Sequence, residues 1–301
     1  MKSNILITGG AGFIATNIAM LFHDNDFNVY GIGRSKKESD LSFYNFWIED
    51  SVSIESLKKF DKQFDLIVHC GGGSSVGAAN DGPYIDFEKT VSGTAAVLEY
   101  ARLYNNEAHI IYPSSPAVHG QHNENPINEM DVLEPVSVYG FHKKMAEEIV
   151  YYYNKIYGLK STVIRFYSVY GNGLKKQLLW DACNKLVSNK KAVFWGGGDE
   201  TRDWLHVSDA ADLIYFVYLL ENPPLVINGG SGKAMKITEV ISVLKTELGS
   251  SSEIIFNGCN KVGDPKFYCA DMKMLEKYGW NPKKDINKGF HEYAQWFIGV
   301  K

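Results

Sequence analysis

Short apolar runs alternate with longer amphipathic stretches through the first half of the chain. The apolar runs are bounded by Gly, Asn or Asp and predict buried strands, whereas apolar side chains at spacings of three and four predict helices. The predicted strands are residues 4–8, 28–32, 44–48, 65–70, 109–112 and 161–166. Predicted helices include residues 54–60, 84–105 and 138–157. Because the two kinds of element alternate, we expect an α/β fold with a doubly wound parallel sheet and right-handed crossovers.

The regular alternation weakens after residue 166. Helices are predicted at residues 177–189, 208–221, 237–248 and 286–298, with short strands between them. Gly- and Pro-rich joints at residues 195–198 and 222–224 interrupt this half. We therefore expect residues 1–166 to form a dinucleotide-binding domain. Residues 167–301 are expected to form a smaller, mixed α/β substrate-binding portion, interleaved with the first across a soft boundary.

A glycine-rich turn joins the first predicted strand to the first predicted helix. Its spacing is Gly9-x-x-Gly12-x-x-Ala15, so alanine stands at the last glycine of the usual dinucleotide-binding pattern. Glycine lets the backbone approach a ligand, and a helix N-terminus attracts an anion. We therefore expect a phosphate cradle and a Rossmann-like sheet. A tight turn without a ligand is the alternative.

Composition narrows the classes of protein that the chain can be. Of its 301 residues, 45% are hydrophobic and 22% are charged, as in an ordinary globular protein, and the net charge is −4. No basic stripe favours nucleic acid, and no apolar run is long enough to span a bilayer. The four cysteines are scattered without metal-ligand spacing. We expect a cytoplasmic protein with no metal site, no nucleic-acid partner and no membrane partner.

Tyr139 and Lys143 lie four residues apart on a predicted helix and therefore share one face. A lysine cation beside a phenol stabilises the phenolate, which would bring the pKa of Tyr139 from about 10 towards neutrality. Tyr139 would then serve as a general acid or base. A solvated helix face is the alternative for this pair alone.

Two hydroxyls, those of Ser114 and Ser115, follow the fifth predicted strand. The carboxyl end of a central strand is where open α/β sheets bind ligands, so a hydroxyl there could bind a substrate oxygen together with Tyr139. A role in a turn or a helix cap is the alternative for both serines.

Motifs along almost the whole chain resemble those of extended short-chain dehydrogenases/reductases of the nucleotide-sugar epimerase/dehydratase family. They include Thr-Gly-Gly-Ala-Gly-Phe-Ile (8–14), Val-His-Cys-Gly-Gly (68–72), Val-Ser-Gly-Thr (91–94), Ser-Ser-Pro-Ala-Val-His-Gly (114–120) and Tyr-Gly-Phe-His-Lys (139–143). Further matches are Arg-Phe-Tyr-Ser-Val-Tyr-Gly (165–171), Thr-Arg-Asp-Trp-Leu-His-Val (201–207), Asn-Gly-Gly-Ser-Gly (228–232) and Gly-Asp-Pro (263–265). Each motif is modest alone, but the set is specific.

The resemblance implies a catalytic trio of Ser115, Tyr139 and Lys143. Tyr139 would exchange a proton with a sugar hydroxyl or ketone, Lys143 would bind the nicotinamide ribose, and Ser115 would orient the reacting oxygen. The cofactor contacts implied by the resemblance are Gly9, Gly12, Phe13, Ile14, Gly71, Tyr139 and Lys143.

The resemblance also implies contacts with a nucleotide-sugar substrate and a homodimer. Substrate contacts fall on Ser115, Ser168, Arg202 and Lys261; Ser168 replaces an Asn of many relatives, and Lys261 replaces a phosphate-binding Arg. For Arg202 and Lys261 a surface ion pair is the alternative. The dimer would form through the predicted helices 84–105 and 138–157.

Departures from the family pattern narrow the expected reaction and cofactor. Pro116 and Ala117 replace the Asp-Glu of the 4,6-dehydratases, which disfavours dehydration. The second strand ends without a carboxylate, and Arg34 is placed to meet a 2′-phosphate, which favours NADP over NAD. A solvated basic loop is the alternative for Arg34. Asp50, after the third strand, is expected to contact adenine.

These features favour one reaction and leave two alternatives open. The favoured reaction is NADPH-dependent reduction of the C4 ketone of a nucleotide-linked 4-keto-6-deoxy sugar, in the synthesis of a surface polysaccharide. The first alternative is an NAD-dependent nucleotide-sugar 4-epimerase. The second, of another class, is a catalytically inactive NAD(P)-binding sensor or scaffold.

Overall fold

The structure is a computed structural model that describes residues 2–34, 42–121, 125–259, 263 and 265–301. Its strands are β1 (Asn4–Thr8), β2 (Asn28–Gly33), β3 (Phe46–Glu49), β4 (Leu66–His69), β5 (His109–Ser114), β6 (Ser161–Phe166), β7 (Ser168–Tyr170), β8 (Lys191–Phe194), β9 (Thr201–His206), β10 (Val226–Gly229), β11 (Ala234–Lys236) and β12 (Glu253–Phe256). Its helices are α1 (Phe13–Asp24), α2 (Ile54–Lys58), α3 (Val76–Asp81), α4 (Pro83–Phe87), α5 (Gly93–Tyr104), α6 (Val138–Tyr157), α7 (Gln177–Ser188), α8 (Val207–Leu219), α9 (Ile237–Glu247), α10 (Lys273–Tyr278) and α11 (Ile286–Val300).

A seven-stranded sheet in the order β10-β6-β5-β4-β1-β2-β3 is the centre of the fold. Strands β3, β2, β1, β4, β5 and β6 pair in parallel with their neighbours. The strand order reverses beside β1, because β2 lies on one side of it and β4 on the other. Such a switch point creates the crevice in which doubly wound folds bind ligands. The predicted α/β, Rossmann-like fold class is confirmed.

Mostly apolar strands form the interior, as expected for a parallel sheet whose two faces are covered by helices. Ile5, Leu6 and Ile7 of β1 are all inaccessible to solvent. On one face, Leu6 belongs to a buried cluster that extends to Val97 of α5 and Val150 of α6. This packing fixes the ends of β1, β4 and β5 relative to α6.

The predicted helix at residues 84–105 differs from the observed structure. The helix is interrupted by a π-helical segment at Glu88–Ser92, between α4 and α5. β5 also extends two residues beyond its predicted end and includes Ser114. By contrast, α6 and β6 have the predicted bounds. A π-helical turn adds one residue per turn and shifts the side chains that follow it, which a regular spacing rule does not anticipate.

Two compact units divide the chain. The first comprises residues 1–120, 132–165 and 211–227, and the second comprises residues 121–131, 166–210 and 228–301. The second unit contains a three-stranded sheet, β11-β9-β7, and a two-stranded sheet, β12-β8. The division predicted from the sequence, into residues 1–166 and 167–301, and the role of the second portion in holding substrate stay predictions. Among the described residues, no helix combines the length and the apolar character needed to cross a bilayer.

Candidate active site

The glycine loop after β1 is built on two backbones in close contact. Gly9 has φ +64°, a conformation that favours glycine, and a Cβ there would lie 2.8 Å from the backbone nitrogen of Gly71. The Gly12 N–H donates to the Gly9 carbonyl at 2.9 Å. Gly9 and Gly71, both predicted to contact the cofactor, are therefore brought together at the ends of β1 and β4.

The start of α1 suits an anionic group. Gly12 is its extended N-cap, no side chain among the described residues caps it, and its first turn contains no acid. Phe13 and Ile14 are the first two helical residues, so their N–H groups lie at the positive end of the helix dipole. This loop fits the pyrophosphate of a dinucleotide, as the sequence predicted.

An aromatic ring occupies the end of β2, where NAD-binding relatives of this fold commonly have an acid. A Cβ at Gly33 would lie 3.0 Å from the Trp47 ring, so a larger residue at this position requires the ring to move. The side chain of Arg34, the next residue, is exposed. Asp50 follows β3 and accepts hydrogen bonds from Lys59 Nζ at 2.7 Å and from the Ser51 N–H at 2.8 Å. The bond from Lys59 holds the pKa of Asp50 below its usual value.

The two serines at the end of β5 have different partners. The side chain of Ser115 lowers the pKa of the Tyr139 phenol, and its Oγ accepts from the Ala117 N–H at 3.2 Å as the cap of a short 3-10 turn. Ser114 instead donates to Glu147 Oε1 at 2.5 Å. The two roles that the sequence left open for Ser115 are therefore compatible, and of the two serines Ser115 is the one that interacts with the Tyr139 phenol.

Tyr139 lies in the first turn of α6, which begins after its cap residue Ser137. Burial raises the pKa of Tyr139 to about 12, while the hydrogen bond with Ser115 lowers it and the charge of Asp86 raises it. The expectation that Lys143 brings this pKa towards neutrality is wrong for this arrangement. Desolvation of the phenolate in this half-buried position outweighs the favourable contacts.

The Lys143 ammonium is buried beside the same phenol. Its Nζ donates to the Pro113 carbonyl at 2.9 Å and lies 4.7 Å from the Tyr112 ring centroid and 5.9 Å from that of Tyr139. Burial lowers the pKa of Lys143 to about 8, and the charges of Cys70, Glu147 and Asp86 oppose this effect. Tyr139 and Lys143 do share one helix face, as their spacing predicted.

Several buried polar residues around the trio were not predicted from the sequence. Glu147 pairs with Arg165 of β6, and Asp86 of α4 pairs with His142 of α6 at 2.7 Å. One signal was available for Asp86. It begins a row of polar residues at a spacing of four, continued by Thr90 and Thr94, on a predicted helix.

Two of the three remaining predicted substrate contacts lie in the second compact unit. Ser168 is the first residue of β7, and Arg202 lies on β9, which pairs with β7 in parallel. Arg202 donates to its neighbouring Thr201 carbonyl at 2.8 Å, and its guanidinium lies 5.9 Å from the Tyr268 ring centroid. Lys261 lies outside the described residues, so the prediction for it is not addressed.

The chain is similar in sequence to known proteins along nearly its whole length. The model of the NAD-dependent epimerase/dehydratase family matches residues 5–229. A putative UDP-glucose 4-epimerase of Methanocaldococcus jannaschii is 27% identical over 302 residues, which cover 97% of both chains. A UDP-glucuronate 4-epimerase of Thermodesulfobacterium geofontis is 25% identical over 97% of this chain and 95% of its own.

Solved structures share the fold over its full length. The UDP-N-acetylglucosamine 4-epimerase of Methanobrevibacter ruminantium, solved with UDP-N-acetylmuramic acid, has a TM-score of 0.91 at 24% identity and covers 100% of both chains. The UDP-glucose 4-epimerase of Thermotoga maritima, solved with UDP-glucose, has a TM-score of 0.91 at 23% identity over 99% of both chains. The family resemblance drawn from the motifs is thereby confirmed.

Proposed function

The chain belongs to the NAD-dependent epimerase/dehydratase family, and we propose that it interconverts the C4 epimers of a nucleotide-activated sugar. It is an NAD(P)-dependent enzyme of the extended short-chain dehydrogenase type. The observation that carries the proposal is the convergence at the carboxyl end of β5 of Tyr139, of Ser115, whose side chain lowers the pKa of that phenol, and of Lys143 Nζ, 5.9 Å from the Tyr139 ring centroid. Relatives that align with this chain over nearly their whole length are named as UDP-sugar 4-epimerases, which supports this reaction.

This proposal reverses the order of the two reactions favoured by the sequence. The expectation of a 4-ketoreductase rested mainly on Arg34 and the missing carboxylate at Gly33. The relatives and structural neighbours reported above are named as 4-epimerases and give it no support. The alternative of an inactive sensor or scaffold is set aside because the chain belongs to an enzyme family.

Proton transfer at the sugar C4 oxygen is the task assigned to Tyr139. The phenolate form of Tyr139 would take the proton of the C4 hydroxyl as C4 is oxidised to a ketone, and the resulting phenol would return it when C4 is reduced from the opposite face. A bound nicotinamide supplies the acceptor, and then the donor, of the C4 hydride. The sugar therefore undergoes no net oxidation. Ser115 would hold the C4 oxygen against Tyr139 through its hydroxyl.

Lys143 is assigned the nicotinamide ribose and a charge beside Tyr139. Because its pKa is lowered to about 8, the ammonium form predominates at neutral pH and is lost under mildly alkaline conditions. Its contact with the Pro113 carbonyl aims the ammonium at the carboxyl end of β5. A cation there favours the phenolate that Tyr139 becomes when it releases its proton to the sugar.

NAD is the cofactor that we propose, because an epimerase returns the hydride that it takes and gains from retaining its cofactor. Solved neighbours at 21% identity contain NAD, including the UDP-glucuronic acid 4-epimerase of Bacillus cereus. Arg34 and Gly33 favour NADP instead. Calorimetric titration with each cofactor decides between them: tighter binding of NAD is expected, and Arg34-dependent preference for NADP would revive the reductase.

A UDP-linked hexose or hexuronic acid is the proposed substrate class. Ser168, Arg202 and Lys261 remain proposed contacts of its nucleoside diphosphate. Support comes from the names of the relatives and from the placement of Ser168 and Arg202 on paired strands of one sheet. Arg202→Ala is expected to raise KM for the UDP-sugar with little effect on NAD binding.

A second copy of the chain is the proposed partner of α6. Four large apolar or aromatic residues of this helix are exposed at a spacing that forms one stripe: Phe141, Met145, Tyr152 and Ile156. Light scattering is expected to give twice the 33.8 kDa chain mass, and Ile156→Asp is expected to give a folded monomer. A monomeric wild-type protein would contradict this proposal.

The reaction itself is tested with purified protein and a panel of UDP-sugars. NMR of UDP-glucose, UDP-N-acetylglucosamine and UDP-glucuronic acid is expected to show a C4 epimer from at least one of them. A parallel panel of 4-keto nucleotide sugars with NADPH tests reduction. Consumption of NADPH without any epimerisation would show that the protein is a 4-ketoreductase.

A further inference from the structure

A buried carboxylate–imidazole pair adjoins the catalytic trio without belonging to it. Asp86 on α4 is 5% exposed, and its Oδ2 lies 2.7 Å from Nδ1 of His142 on α6. A carboxylate only accepts hydrogen bonds, so the His142 Nδ1–H donates to it. His142 lies three residues after Tyr139 and one before Lys143. The pair therefore fixes the turn of α6 that carries both groups.

The other Asp86 oxygen lies against the turn that follows β4. A Cβ on Gly73 would stand only 1.8 Å from Asp86 Oδ1, so the carboxylate occupies the space of a side chain there. The Gly73 N–H donates to Thr90 Oγ1 at 2.8 Å, one turn further along the same helical stretch. Residues 71–73 include Gly71, whose backbone touches Gly9. Asp86 thus connects the cofactor loop with the first turn of α6.

The charge of Asp86 reaches both titratable members of the trio. It raises the pKa of Tyr139 and opposes the lowering of the pKa of Lys143. The other titratable groups on elements packed around this pair include Tyr84 on α4, Tyr112 on β5, His69 and Cys70 at the end of β4, Lys144, Glu147 and Glu148 on α6, Asp81 on α3, Glu88 and Lys89 in the π-helical segment, and Glu99, Tyr100, Arg102 and Tyr104 on α5. Asp81 and Glu88 are exposed, and Glu99 faces Tyr153 at the far part of α6.

We propose that Asp86 and His142 form a positioning pair, which holds the first turn of α6 against residues 71–73 and sets a negative charge beside the Tyr139 phenol. A negative charge beside a phenol disfavours the phenolate, so the pair biases Tyr139 towards the neutral phenol. The proposal rests on the role assigned to Tyr139 in the proposed function.

Asp86→Asn tests the electrostatic part. The amide oxygen still accepts from His142, but the charge is removed. The Tyr139 phenol is expected to titrate lower by on the order of one pH unit. Near-ultraviolet tyrosinate absorbance measures this without substrate, as the difference between each protein and its Tyr139→Phe counterpart. Glu88→Gln, which removes an exposed carboxylate two residues away, is the matched control and is expected to leave the titration unchanged.

An unshifted phenol in folded Asp86→Asn would overturn the proposal, whether or not the protein epimerises any sugar. Active enzyme with an unshifted phenol would refute only the pair. A shifted phenol with no epimerisation would refute only the proposed function. In active protein, the acidic limb of the kcat/KM profile is expected to move to lower pH in Asp86→Asn and to stay in Glu88→Gln.

A second pair of variants tests the positioning part and remains available if Asp86→Asn does not fold. His142→Leu removes the donor, and His142→Asn restores an N–H near the position of Nδ1. The Leu variant is expected to lose at least tenfold in kcat with KM nearly unchanged, and the Asn variant to recover most of that loss. Equal activity of the two variants would contradict a positioning role.

Discussion

Arg165 and Glu147 form a buried, bidentate ion pair beside β5, the strand that Ser115 directly follows. The Arg165 Nε donates to Glu147 Oε1 at 3.1 Å and its Nη2 donates to Oε2 at 2.8 Å, with both side chains nearly inaccessible to solvent. Ser114 donates to the same carboxylate. These bonds therefore hold β5, β6 and α6 together at Glu147, which lies one turn of α6 beyond Lys143.

Removing the charge of Glu147 is expected to destabilise the protein. Glu147→Gln leaves the Arg165 cation buried without its counter-ion, which costs about 3–5 kcal/mol when one partner of a buried pair is removed. Urea unfolding at pH 7 measures the loss. Glu148→Gln changes the neighbouring, exposed residue and is expected to shift the free energy of unfolding by less than about 0.5 kcal/mol. Equal effects of the two variants would contradict the assignment.

Substitutions of Ser114 and Ser115, at the end of β5, are expected to have different effects. Ser115→Ala removes the hydroxyl that interacts with the Tyr139 phenol, and kcat is expected to fall by roughly 10²-fold with little loss of stability. Ser114→Ala leaves Glu147 short of one donor and is expected to lower stability by about 1–2 kcal/mol while retaining most of kcat. Steady-state kinetics and urea unfolding of both variants test the distinction. A larger loss of kcat in Ser114→Ala than in Ser115→Ala would show that Ser114, and not Ser115, acts on the substrate.

The buried ammonium of Lys143 predicts a specific dependence of stability on pH. Its folded pKa of about 8 lies below the value of 10.5 for an exposed lysine, so between these pH values the unfolded chain binds the additional proton. Stability relative to Lys143→Met is therefore expected to rise from pH 8 to 10.5, by on the order of 3 kcal/mol. Urea unfolding of both proteins across this window measures it. A constant difference, or one that falls with pH, would show that Lys143 is not buried as a cation.

Gly9 is expected to accept no side chain. Its φ of +64° and the 2.8 Å approach of Gly71 mean that Gly9→Ala must separate β1 from β4 at the cofactor loop. The expected results are a loss of about 1–3 kcal/mol in stability and at least tenfold weaker cofactor binding. Gly77→Ala is the matched control, because nothing lies within 4 Å of its added Cβ. Calorimetric titration with NAD and NADP compares the two variants.

Most of the fold was predictable from the sequence, because β1, α6 and β6 each show the spacing of apolar residues that is typical of a strand or a helix. The pairing of Tyr139 with Lys143 on one helix face followed from the same periodicity. The bounds at β3 and the π-helical interruption at Glu88–Ser92 were not predictable, since both depend on packing between distant segments.

The polar surroundings of the trio were beyond local patterns as well. Asp86 meets His142 across 56 positions of sequence, and Ser114 meets Glu147 across 33. Burial also reverses the expected effect on the Tyr139 phenol, whose pKa is raised to about 12. The cost of removing water from the phenolate depends on the side chains packed around it in three dimensions. Its balance against a neighbouring charge therefore could not be derived from the sequence.

The central claim is that Tyr139 moves a proton at C4 of a UDP-sugar without net oxidation. NMR of UDP-sugars incubated with wild-type protein and with Tyr139→Phe tests it most directly. We expect the wild type to form the C4 epimer, and we expect Tyr139→Phe to lose roughly 10²–10⁴-fold in rate while binding the cofactor with nearly unchanged affinity. Epimerisation by Tyr139→Phe at close to the wild-type rate would contradict the account.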